Sequence, residues 1–418
     1  MRYLLVNHVP FAAGSRAGSY RIGDMWREDL AAQAKAIAGV GGTLTVATCY
    51  APQVDAAQTG SFNTVEILPE DVGFTYVELP LWKSHSTYMK VRKQLKATLT
   101  RTMQDIDIAQ LDYGGYGFSL GQAGWPIAGA LGKKRIWLFD GADPFPRMDD
   151  DIARMRNPIK RLILKALHKQ FVGFCRTAIR DADLVFAHNK AVQERFADVW
   201  SDRCYQFDRS FVTDSILVSD DRTEELKCRL LDRSRPLRLV SAGRQVMIKA
   251  TDQVLRAMRS AVDHGANLQL DIMGDGEDLP KFVKLIAELN LRDRVRVLGT
   301  VAYGQQLFDA WGQCDVMVIT NLTAEISRNV LLAAARGLPI VTYTNPGTDA
   351  MLTEAGAALI TPRADEAKLA DAFVEIERDR VKLIPLLDNA RLLASSKTLE
   401  RTHRKRAELA REMFDRSK

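Results

Sequence analysis

Arg244 and Lys249 stand five residues apart, just beyond an apolar run at 237–241 with the length and composition of a strand. Two cations at a strand's carboxyl end suit a nucleotide diphosphate, whose negative charge grows as the bond to it breaks. Downstream, Glu325 lies in a loop six residues past Ile319, short of a helix expected to begin at about Asn329. There Ser327, Arg328, Asn329 and Val330 would approach the same phosphates, helped by free N–H groups at the helix start. Glu325 would hold a sugar hydroxyl or order the phosphate surroundings; its plain alternative is a helix-initiating acid. A third centre is Asp140, directly behind an apolar strand at 135–139 and followed by Gly141. A carboxylate so placed can take the proton of an incoming hydroxyl, with Asp143 as second candidate, or bind that hydroxyl without proton transfer.

Other residues carry weaker signals. Gly274, in the GDG turn at 274–276, belongs to a strand-end loop, and Tyr303 after the 295–298 strand would flank a nucleobase or pack in the core. Gly18 and Gly23 lie in a Gly-rich stretch at 11–26, with Arg16 and Arg21 as further phosphate contacts. Asp112, Tyr113 and Tyr116 form a Gly- and Tyr-rich loop suited to an acceptor sugar, and His188 follows the 184–187 strand as a ligand or a buried polar cap. No GxGxxG follows a strand, which disfavours NAD, and neither HExxH nor a histidine cluster occurs, so no metal is expected.

The elements that must carry these residues alternate. Strands are expected at 3–6, 43–48, 64–68, 75–77, 106–110, 135–139 and 184–187, with helices at 24–38, 88–103, 120–131, 158–180 and 189–197. After a polar stretch at 219–235 the rhythm restarts, with strands at 237–241, 269–273, 295–298, 316–319, 340–342 and a short one at 359–360. Helices fit 248–264, 278–289, 304–312, 329–336 and 366–377, and a charged helical stretch closes the chain at 381–414. The expected fold is α/β: two doubly wound Rossmann-like domains, 1–218 and 236–389, facing a central cleft, with 390–418 crossing back to the first. Leu392, Leu393, Leu399 and Leu409 are the expected contacts of that return.

Composition narrows the setting. A chain of 418 residues with 46% hydrophobic content is globular and exceeds one ordinary core. The opening run is broken by His8 and reads as a first strand rather than a signal peptide, and no apolar stretch nears the roughly 20 residues of a membrane span. Five scattered cysteines without CxxC spacing fit reduced thiols, so a cytoplasmic setting is expected. The net charge of +6 is uneven: 154–180 holds eight Lys or Arg and no Asp or Glu apart from neighbouring segments. Its apolar residues, among them Ile159, Leu162 and Ile163, would let a helix lie on an anionic membrane at the inner face, or would form a core stripe beside a solvated basic face. Nothing suggests nucleic acid.

GRQVMIKA at 243–250 resembles the GRxxxxKG segment of the large retaining GT-B glycosyltransferase family, and EISRNVLLAAARGLPIV at 325–341 resembles its EGFxxxxLEAMAxGxPVV segment. The resemblance covers roughly 235–375 well and the first half loosely. It implies that Arg244 and Lys249 contact the diphosphate of a UDP- or GDP-sugar co-substrate, with no other cofactor, and that Glu325 addresses the transferred sugar. It also implies that the 11–26 stretch reaches toward the donor phosphate. The chain departs from the family pattern twice. The second glutamate of the E-x7-E pair falls on Ala333, or on Leu332 by a different anchor, and Asp140 stands where many members carry histidine. The implied activity is hexosyl transfer to a carbohydrate or lipid-linked acceptor in cell-surface polysaccharide or glycolipid assembly, with retention preferred to inversion. A noncatalytic nucleotide-binding scaffold and a sugar-nucleotide epimerase are the alternatives.

Overall fold

The computed structural model describes residues 1–54, 63–113, 119–139, 145, 148–149, 152–153, 155–188, 190–207, 210–323 and 327–416. The chain forms two compact units, Met1–Arg209 with Leu399–Lys418, and Ser210–Thr398. The division thus falls at 209/210, and the return begins at Leu399.

In the first unit, strands β1 (Arg2–Val6), β2 (Phe11–Ala13), β3 (Tyr20–Gly23), β4 (Thr43–Ala51), β5 (Thr64–Ile67), β6 (Phe74–Leu79), β7 (Ile108–Asp112), β8 (Lys134–Phe139), β9 (Leu184–Ala187) and β10 (Cys204–Gln206) make one sheet. Its order is β10-β9-β8-β7-β1-β4-β2-β3-β5, with β6 also paired to β4. β1 is parallel to both β4 and β7. The chain winds from β1 to one side, then returns to lay β7 on the other, so β1 and β7 flank a topological switch point. The second unit repeats this scheme in six parallel strands, β11 (Leu237–Ala242), β12 (Leu268–Met273), β13 (Val295–Gly299), β14 (Val316–Ile319), β15 (Ile340–Tyr343) and β16 (Ala358–Thr361). Their order, β13-β12-β11-β14-β15-β16, puts the switch between β11 and β14.

Alternation along each central strand explains the winding. In β1, Leu4 and Val6 enter one buried cluster while Tyr3 and Leu5 enter another. In β11, Leu237 and Leu239 face one cluster and Val240 a second. A strand apolar on both sides must be covered on both faces, which is what parallel sheets require.

Three segments differ from the sequence expectation. Residues 11–26 are not a long open turn: β2 and β3 pair antiparallel, and β3 pairs with β5. The polar stretch at 219–235 holds a helix, Asp220–Leu231, whose Thr223, Leu226 and Leu230 are buried. Its apolar stripe is sparse, which hides it among the charges. The closing stretch splits between the units. The helix Leu383–Ser396 buries Leu393 in the second unit and leaves Leu392 66% exposed, so Leu392 is no contact of the return. The helix Leu399–Asp415 instead lies on the helix Asp24–Gly39 and sends Ala407, Leu409 and Ala410 into the cluster containing Tyr3 and Leu5.

Candidate functional site

At the carboxyl end of β11 the chain turns through Gly243, Arg244 and Gln245, makes a short 3-10 turn at Met247–Lys249, and enters the helix Thr251–Asp263. Gln245, 1% exposed, pins this turn. Its Nε2 donates to the carbonyls of Gly243 (2.9 Å) and Met273 (3.1 Å), and its Oε1 accepts from the Thr251 hydroxyl (2.9 Å). The Gln245 N–H donates to Asp275 O at 2.9 Å, and Asp278 Oδ2 accepts from the Met247 N–H at 2.8 Å. The loops after β11 and β12 are thereby sewn together. Gly274 has φ +110°, and a Cβ there would lie 2.1 Å from Gly243 O, so the GDG turn is close-packed against the cation-bearing loop. Gln245, Thr251 and Asp278 do this work and were not singled out in the sequence. Their signal was only a polar side chain in a run destined for burial.

The other side of the switch is built from β14. Thr320 Oγ1 donates to Lys249 O at 2.8 Å, and the Leu322 N–H donates to Ile248 O at 2.8 Å. Asn345 Nδ2 donates to Thr323 O at 3.0 Å, anchoring the chain just before Glu325, which lies outside the described residues. Asn321, only 6% exposed, has its amide nitrogen buried without a hydrogen-bond partner among the described residues. A buried donor left unpaired is costly, and a ligand acceptor would relieve it.

Arg244 is exposed and Lys249 half-buried, on a loop held at both ends. Asn329 Nδ2 donates to Ala242 O at 2.7 Å, the Val330 side chain is 2% exposed in the core, and the Val330 N–H donates to Ser327 O at 3.2 Å. The Asn329 side chain thus ties the helix Asn329–Ala335 to the end of β11. Ser327 is half-buried and Arg328 exposed, with the Arg328 guanidinium 5.7 Å from the Phe211 ring centre. Tyr303 packs edge-on against Phe308, centroids 5.6 Å apart, which gives it a structural role. Leu332 and Ala333 are 1% and 0% exposed, so that helix face is core.

In the first unit the Gly14–Ser19 turn encloses the Glu66 carboxylate. Oε1 accepts from the N–H of Ser15 (3.0 Å) and the hydroxyl of Ser19 (2.6 Å), with the Arg16 Nε at 3.6 Å. These hydrogen bonds, led by Ser19, hold Glu66 down to about 2. Arg16, one of the residues expected to meet a donor phosphate here, pairs with Glu66. Gly18 turns this tip at φ +75°, while Gly23 sits in β3 with φ −65° rather than in a loop.

At the carboxyl ends of β1 and β7, Asp112 is 3% exposed and accepts from His8 through both the backbone N–H (3.3 Å) and Nδ1. Tyr113 stacks on Phe139, centroids 5.9 Å apart. His188 receives a hydrogen bond at Nε2 from Arg406 (2.8 Å), and its N–H donates to Phe139 O (3.3 Å). It anchors the returning helix. Tyr116, Asp140 and Asp143 lie outside the described residues.

The fold these units define is that of the GT-B class. Superposition on the Anabaena protein HepE in complex with UDP gives a TM-score of 0.63 at 16% identity, over 97% of this chain and 98% of that one. Residues 236–379, which carry the β11–β14 switch, match the family of glycosyl transferases group 1. An exopolysaccharide phosphotransferase of Streptomyces coelicolor is 30% identical over 149 residues, 35% of this chain and 15% of that protein. The alpha-D-kanosaminyltransferase of Streptomyces kanamyceticus is 24% identical over 182 residues, 43% of this chain and 47% of that protein. The matches span less than half the length of these curated relatives.

Proposed function

We propose that this chain transfers a hexosyl group from a nucleotide diphosphate sugar to a carbohydrate or lipid-linked acceptor, as a step in cell-surface polysaccharide or glycolipid assembly. The observation that carries the reading is the pinned loop at the β11–β14 switch, which bears Arg244 and Lys249 and is tied through Lys249 O to Thr320, the neighbour of the buried Asn321 amide that has no partner among the described residues, all within the group 1 match. Ligands of doubly wound sheets bind at such points. The two cations would stabilise the departing diphosphate, so the chemistry of this loop needs no metal. UDP in the Anabaena structure supports a uridine donor. The second unit is the donor side and the first the acceptor side. The resemblance in the donor segment favours retention, with the leaving phosphate guiding the acceptor on the same face of the sugar.

The helix Pro158–Asp181 supports work at an anionic membrane. Ile159, Leu162 and Ile163 are 70%, 70% and 54% exposed, while Phe171, Cys175, Ala178 and Ile179 bury its far half. Arg161, Lys165 and Lys169 line a groove along the same helix. Apolar tips between cations suit a phospholipid surface. No helix among the described residues is long and apolar enough to cross a membrane.

The buried Leu332 and Ala333 favour one other reading, a noncatalytic nucleotide-binding scaffold, since ribose lacks its usual family carboxylate. Calorimetric titration of the full chain tests the diphosphate site directly. UDP or GDP should bind at least about tenfold more tightly than the matching monophosphate, with Arg244→Ala removing that preference. Equal affinity for mono- and diphosphate would refute the site.

A further inference from the structure

We propose that the groove along the helix Pro158–Asp181 is the subsite for the phosphate of a lipid-linked acceptor. The substrate class is then a sugar joined through a phosphate or diphosphate to an apolar chain. The inference rests on the glycosyl-transfer reading and narrows its acceptor.

The helix follows β8 and precedes β9, which are parallel neighbours, so it starts at their carboxyl ends, the side on which such a sheet binds ligands. Its buried side chains begin only at Phe171. The turns before Phe171 carry the groove, about 510 Å³ in volume, which suits a small ligand. Arg161, Lys165 and Lys169 line it, each four residues from the next and therefore on one helix face. None of these cations has an ion pair among the described residues, and the stretch 154–180 holds no Asp or Glu to neutralise them.

Asp149 is the one carboxylate lining the groove among the described residues, and its Oδ1 lies 3.1 Å from His168 Nδ1. The His168 side chain is 13% exposed and its ring stacks on Phe145, centroids 5.9 Å apart. Its Nε2 is buried with no hydrogen-bond partner among the described residues. A buried nitrogen left unpaired is costly, and an anion in the groove removes that cost. Between Asp149 and a phosphate oxygen, an imidazolium donates at both nitrogens. Convergent cations beside a buried donor thus make a phosphate site, where a merely basic surface would need neither the concavity nor the imidazole.

A second observation shows what the phosphate is attached to. Ile159, Leu162 and Ile163 are exposed on the same turns. A free phosphate has no use for them, whereas a prenyl or acyl chain leaving the groove would cover them.

The test is calorimetric titration of the full chain, with UDP saturating so that the donor loop is occupied. Geranyl diphosphate is the probe, compared with geraniol and with inorganic pyrophosphate. It should bind at least about tenfold more tightly than either, since it alone uses both the cations and the apolar residues. Combining Lys165→Ala with Lys169→Ala should remove the preference over geraniol, whereas Lys160→Ala, on another face of the helix, should keep it. All three lysines are exposed, so the variants leave the core intact. Equal affinity for geranyl diphosphate and geraniol would overturn the phosphate site, and equal affinity for geranyl diphosphate and pyrophosphate would overturn its link to lipid. An unaltered preference in the double variant would also overturn the assignment. So would a double variant that loses only its affinity for phosphatidylglycerol vesicles, because the groove would then serve bulk lipid. Each of these results leaves glycosyl transfer standing. Failure of the wild type to bind UDP would overturn transfer itself, and the acceptor role with it.

Discussion

Single residues here are set by what surrounds their backbone as much as by their side chains. Ala250 stands where the resembling family segment has glycine, and it sits at φ +53° with no exposed surface. The left-handed conformation costs about 1–2 kcal/mol. Glycine would relieve that, but would lose a buried methyl of about 0.8 kcal/mol and add roughly 0.5–1 kcal/mol of chain freedom. Ala250→Gly is therefore expected to change unfolding free energy by less than about 1 kcal/mol in urea titration, although the site is wholly buried. Glu66 gives a pH-dependent case. Its carboxyl is held at about 2 against an ordinary 4.5, so its contribution is present above the ordinary value and is lost as pH falls toward 2. Wild type should resist urea better than Glu66→Gln at pH 6, and the gap should close between about pH 4.5 and pH 2; a constant gap would mean that the charge is irrelevant. Neither role was legible in the sequence. Arg244 and Lys249 draw attention in the sequence because they follow an obvious strand, whereas Gln245 holds its turn through Met273, 28 residues away.

At the scale of elements, regular strands and long helices were readable and the short or amphiphilic pieces were not. β11, β12 and β14 announce themselves as apolar runs, and each appears within a residue or two of its expected bounds. β2 and β3 are brief and separated by a glycine-bearing turn, and they depend on β4 and β5 for pairing partners. Their existence is decided by long-range hydrogen bonds that local pattern does not encode. The loops after β11 and β12 form one element in practice, because Gly274 lets them touch. Gly274→Ala adds a Cβ 2.1 Å from Gly243 O at a backbone angle alanine resists, and should destabilise by about 2–4 kcal/mol. It should also weaken UDP binding while leaving the circular dichroism spectrum at 20 °C unchanged; unaltered affinity would separate this loop from the nucleotide.

Across the whole molecule, the repeated doubly wound plan was legible from the alternation of elements, and the allocation of the chain's end was only partly so. The closing stretch is helical throughout, and nothing in its periodicity marks Thr398 as the point of division. What decides it is specific: His403 Nε2 meets Asp29 Oδ1 at 2.9 Å, and the Arg406 guanidinium lies 4.8 Å from the Phe207 ring centre. Deleting 399–418 should therefore lower the unfolding temperature of the first unit and leave that of the second within about 2 °C, as read by hydrogen exchange on peptides from each; equal loss in both would contradict the division. The central claim is that the chain uses a nucleotide diphosphate sugar, and one measurement addresses it most directly. Purified full chain would be incubated with UDP- and GDP-hexoses and octyl glycoside acceptors, and products identified by mass. An acceptor one hexose heavier, with release of nucleoside diphosphate falling about 100-fold or more in Arg244→Ala, is the predicted result. Tight UDP binding with no acceptor-dependent product from any donor would contradict it and leave a nucleotide-binding scaffold.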